Sequence, residues 1–148
     1  MQGFFILLAM VAGAGAMVQA GINYQLSGVL GSPVSAAFVS FAVGTLALAL
    51  FAVLSRVSVP EMGRLTQAPW HLFVVGGILG AIFVVTTVVL VPKLGASALL
   101  AAIVAGQMIC AILLDHWGLV GFPRHAFNPW RGVGAVMLLG GVVLIRRF

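Results

Sequence analysis

Acidic side chains are almost missing from this chain. Of 148 residues only two are acidic, Glu61 and Asp115, and the charged fraction is 6%. A soluble domain carries about 25% charged residues, so too few are present to coat a surface that faces water. Two carboxylates far apart in sequence supply no general acid–base pair, and an enzyme is not expected. Cysteine occurs once, as Cys110, which excludes an internal disulfide. Set in an apolar run, that thiol reads as a small buried hydrophobe. His71, His116 and His125 lie at or beyond the ends of the apolar runs and lack ligand spacing, so neither a metal site nor a cofactor is expected. The net charge is +5, but the seven Lys and Arg sit singly or in short loops. They form no basic stripe for phosphates to follow, and nucleic acid is not an expected partner.

What is abundant is apolar: 63% of the residues, with a mean hydropathy of +1.26. Runs of about 18 or more apolar residues are candidate membrane helices. Five are expected, at roughly 4–24, 33–55, 70–91, 96–117 and 130–145. The fold class is therefore an all-α, multi-pass membrane protein, a single domain over 1–148 whose first partner is the lipid bilayer. Ser32-Pro33 and Asn128-Pro129 each offer a capping side chain followed by proline at the first helical position, where its missing N–H costs nothing. Pro69 opens the third run similarly, and Pro92, Lys93 and Gly95 are expected to separate the third from the fourth.

The first run has no Lys or Arg ahead of it and four further runs behind it, so it reads as a retained helix rather than a cleaved signal peptide. Five spans place Arg56, Arg64, Arg124 and Arg131 on one membrane face, and Lys93, Arg146 and Arg147 on the other. Orientation follows the Lys/Arg excess in short loops; four against three gives the inserting chain little instruction. Either one orientation wins through other features, or copies insert both ways and assemble antiparallel. Trp70, Trp117 and Trp130 fall on one face and mark headgroup depth.

Within the apolar runs a few polar side chains stand out. Gln19 and Asn23 are one turn apart and share a face of the first helix with Ala12 and Gly15. Gln107 lies near the middle of the fourth run, at the depth where transporters place their sites. Ser40 and Thr45 add hydroxyls in the second. Such groups either glue helices together, at roughly 0.6–2 kcal/mol per bond, or line a polar cavity. Helix 1 is expected to end near Tyr24 and to turn through Gly28 towards Pro33, leaving Gln25 at the helix end.

Asp115 ends the fourth run, where its charge opposes the helix dipole. Arg124 or Arg131 is the nearest compensating cation; proton coupling is the alternative role. Gly76 and Gly80, and Gly134 with Gly140 and Gly141, are spaced for close helix packing.

In order, VQAGINYQL, GSPVSAAFVSFAVGTL, GGILGAIFV, PKLGASALLAAIVAGQMICAILLDHWGLVG and RGVGAVMLLGGVVLI resemble the bacterial YdcZ family of the drug/metabolite transporter superfamily. The pairing of Gly106-Gln107 with Asp115-His116-Trp117-Gly118 is the most specific part. The resemblance implies a five-helix half unit of an inner-membrane secondary transporter. It would pair with an identical chain or a homologous partner in opposite orientation, as small multidrug resistance proteins do. Those proteins place an essential glutamate in the first helix; here that helix carries only Gln19 and Asn23, so their proton-coupled cation export does not carry over. The cavity expected from Gln19, Asn23, Gln107, Ser40 and Thr45 suits a small polar or amphipathic solute. A dual-topology channel and a non-transporting accessory subunit are the competing classes.

Overall fold

The computed structural model describes residues 2–58 and 62–147, so Glu61 lies outside the described residues. All regular structure among them is helical: α1 (Gln2–Leu30), α2 (Pro33–Leu54), α3 (Met62–Gln67), α4 (Trp70–Trp117) and α5 (Pro129–Arg147), with a short 3-10 turn at Leu119–Gly121. The chain divides into two compact units, 1–91 and 92–148.

In the first unit α1 packs along α2. Ser32 caps α2, its hydroxyl accepting from the Ser35 N–H at 3.3 Å, and Pro33 follows at the first helical position. Ala37 of α2 forms a small buried cluster with Val84 and Val88 of α4, against which Val85 packs. Gly80 faces the Phe41 ring so closely that a Cβ there would meet it at 3.3 Å. This is the close helix approach that small residues permit in membranes.

The outer face is greasy. Phe38 is 74% exposed and Leu48 71%, while the largest fully buried side chains are only Leu99 and Val88. Apolar surface on that scale marks a lipid- or protein-facing exterior. Among the described residues three helices, α1, α2 and α4, are long and apolar enough to cross a membrane, and Pro129–Ile145 is a shorter apolar helix.

Three boundaries differ from those expected. α1 continues past Tyr24 to Leu30 and stops only at Gly31, whose φ is +70°. Ser27 stays helical by donating its hydroxyl to the Tyr24 carbonyl at 2.7 Å, so Gln25 and Gly28 belong to the helix. Pro92 and Lys93 do not interrupt α4; Pro92 sits inside it, forfeiting one bond to the preceding turn. The interruption is Gly95 alone, at φ 74° and ψ 166°, a conformation open to glycine because it has no Cβ. The 48 residues of α4 would extend about 72 Å if straight, more than twice the ~30 Å hydrocarbon core. Gly95 divides the run into 70–94 and 96–117. Finally, α3 is a short helix within the second connection, which lacked a periodic apolar pattern.

The second unit contains residues 96–117, a turn from Gly118, and α5. Asn128 caps α5, its side-chain oxygen accepting from the Trp130 N–H at 2.9 Å. The Phe127 ring lies against Gly132, where a Cβ would meet it at 3.0 Å.

Candidate functional site

Each unit carries a small hollow; the first is partly polar, whereas the wall of the second is almost entirely apolar. In the first, Gln19 of α1 faces Ser40, Gly44 and Thr45 of α2 across a hollow of about 240 Å³, whose remaining walls are Phe41 and Leu48. α2 contributes through the spacing of one helical face, since positions 40, 41, 44, 45 and 48 recur at three- and four-residue intervals. Gly44 leaves room at the centre. Gln19 is exposed, and its amide carries two donors and an acceptor. Thr45 is less available as a donor, because its hydroxyl donates to the Phe41 carbonyl at 2.8 Å.

Asn23, one turn beyond Gln19, is not in that wall. It is only 3% exposed, and its Nδ2 has no hydrogen-bond partner among the described residues. Thr87, also buried, spends its hydroxyl on the Val84 carbonyl at 2.8 Å, a structural role.

In the second unit Gln107 and Asp115 line a hollow of about 250 Å³ with Cys110, Ala111, Leu114 and Phe122. Five of these positions form one face of helix 96–117, and Phe122 closes it from the turn. Cys110 corrects the expectation of a buried thiol: it is free and exposed. An apolar sequence context cannot distinguish burial in protein from exposure on a membrane helix.

The end of α4 is stapled by its own following turn. The Asp115 carboxylate accepts from Arg131. The Asp115 carbonyl accepts the His125 N–H at 2.8 Å, and the His116 carbonyl accepts the Arg124 Nε at 3.2 Å. His116 Nδ1 accepts the Phe127 N–H at 3.1 Å, which fixes that nitrogen as the unprotonated one. Arg131 also reaches the His125 carbonyl at 3.5 Å. Of the two arginines nearest in sequence, then, Arg131 holds Asp115, whereas Arg124 neutralises the carbonyl end of the helix. Gly118 makes the turn possible: its φ is +64°, and a Cβ would sit 3.3 Å from that of Arg124.

Phe41, Gly44, Leu48, Cys110 and Phe122 were not among the sequence candidates. The α2 residues were recoverable from their spacing around Ser40 and Thr45; Phe122 was not, because it reaches its place through an irregular turn.

Helices long and apolar enough to span a bilayer mark an integral membrane protein, and the amides beside two small hollows fit a membrane transporter. The family described as "Putative inner membrane exporter, YdcZ" matches residues 4–144. That covers nearly all of the chain, which belongs to the YdcZ family. No curated protein and no solved structure matches it.

Proposed function

We propose that the chain is one subunit of an inner-membrane secondary transporter that moves a small polar or amphipathic solute. Its working form is a dimer of oppositely oriented five-span subunits, the break at Gly95 separating the third and fourth spans. The partner is a second copy or a paired homologue. The near tie of four cations to three across the spans supports dual insertion. The exposure of Gln19 and Gln107 supports a partner subunit against those faces, since an amide left facing lipid lacks partners.

The observation that carries the solute reading is the hollow shared by Gln19, Ser40 and Thr45. An amide and two hydroxyls, with no acid nearby among the described residues, favour an uncharged hydrogen-bonding solute over a bare cation. Gln107 borders the second hollow, whose wall is almost entirely apolar. Asn23 keeps a buried Nδ2 without a hydrogen-bond partner among the described residues.

The architecture is tested by single cysteines placed near each end in a Cys110→Ala background. A membrane-impermeant maleimide applied from either side is expected to label about half of each population. Labelling of each site from one side only overturns an antiparallel assembly of identical copies and leaves a paired homologue as the partner to be tested by co-expression.

A further inference from the structure

The second unit holds a larger groove that the solute reading does not use. It runs between helix 96–117 and α5, with a volume of about 810 Å³. Ala101, Gly134 and Gly141 open it, and Val104, Met108 and Met137 make it apolar. Its side is open, with Met137 71% exposed.

The groove has a defined polarity. Arg131 at the start of α5 pairs with Asp115 at the end of α4, so the two helices run antiparallel and Ser97 shares an end with Ile145. From Ser97 to Met108 the helix rises about 17 Å. That is close to half the ~30 Å hydrocarbon core, the depth of one leaflet. At the Ser97–Ile145 end stand Lys93 and Arg147, both exposed, and neither has an ion-pair partner among the described residues. The only acid among the described residues, Asp115, is at the far end of the helix and already paired.

A groove one leaflet deep, apolar along its length and crowned by unpaired cations, is complementary to a phospholipid with an anionic head. We propose that it is a selective site for one anionic phospholipid, with an acyl chain between helix 96–117 and α5 and the phosphate at Lys93 and Arg147. Exchanging one acyl chain for another gains little, because lipid tails are as apolar as the groove. Selection therefore comes from the headgroup, where each juxtamembrane cation favours an anionic lipid roughly fivefold.

The test uses the full chain in vesicles, with spin-labelled phosphatidylglycerol and phosphatidylcholine as probes. The motionally restricted signal is expected to favour phosphatidylglycerol. Lys93→Gln and Arg147→Gln should each lower that preference roughly fivefold, while Arg56→Gln, outside this unit, leaves it unchanged. Gly141→Leu, or Met137→Trp should that variant fail to fold, fills the groove and should remove the selective signal. Equal restriction of the two lipids in the unmodified protein overturns the proposal. So does a groove-filling variant that dissociates subunits while lipid preference persists, which would make the groove the seat of a second copy.

Discussion

Arg131, in the first turn of α5, donates to the carboxylate of Asp115, in the last turn of α4. The bond closes a loop that is also tied by donors to the Asp115 and His116 carbonyls and to His116 Nδ1. A carboxylate at a helix C-terminus is ordinarily unfavourable, because it adds negative charge to the carbonyl end. Here the guanidinium answers the carboxylate, and the Arg124 and His125 donors answer the carbonyls.

Removing one partner should therefore cost more than removing both. The pair is part-exposed, with side-chain exposures of 36% and 19%, so Arg131→Leu is expected to destabilise by about 1–2 kcal/mol, below the 3–5 of a fully buried pair. Adding Asp115→Leu should recover part of that loss, because no carboxylate then remains unpaired. Thermal unfolding of the three variants in detergent checks the ordering. Additive losses would mean that the two side chains do not stabilise each other.

The turn between these helices predicts two opposite effects two residues apart. Gly118→Ala places a methyl against Arg124 and forces an alanine to φ +64°, and should destabilise by about 1–2 kcal/mol. Val120 adopts φ +55° and is 85% exposed, a strained conformation for a β-branched residue with little contact in return. Val120→Gly should raise stability by about 1 kcal/mol. A pair of melting curves decides both signs.

In the first hollow the two polar groups of opposing helices should differ in importance. Thr45 already gives its proton to Phe41, so Thr45→Val is expected to leave solute binding within about threefold. Gln19→Leu removes free donors and should weaken binding about tenfold, the range of one or two net hydrogen bonds. A thermal-shift screen of small uncharged polar solutes against both variants measures this. Gln25→Leu, on the same helix but outside the hollow, is the control.

Why these contrasts were only partly legible in the sequence follows from the kind of information each needs. The apolar runs and the Ser32-Pro33 and Asn128-Pro129 caps are local, and the structure forms both caps. The association of Gln19 with Ser40 and Thr45 needed only helix periodicity and the neighbourhood of α1 and α2. By contrast, the choice of Arg131 over Arg124 depends on the path of an irregular turn that no periodicity describes. The end of α1 was misplaced because Ser27 and Gly28 carry turn-forming chemistry that a helix can absorb. Cys110 was misassigned because apolar neighbours mean burial only when the surroundings are protein.

Asn23 offers the sharpest separation between a stabilising and a functional role. Its side chain is buried and its Nδ2 unpartnered among the described residues, which costs about 1–3 kcal/mol relative to a satisfied group. Asn23→Leu keeps roughly the same volume and removes that penalty, so the variant should unfold about 1 kcal/mol later than the parent in detergent. If the amide exists to meet a solute or a second subunit, the same variant should lose solute-dependent stabilisation or dimer yield while gaining intrinsic stability. Helix glue predicts the reverse pattern, with Asn23→Leu less stable and solute response intact. Measuring melting temperature with and without solute, alongside crosslinked dimer yield, distinguishes the two, because only a functional amide makes the more stable protein the less competent one.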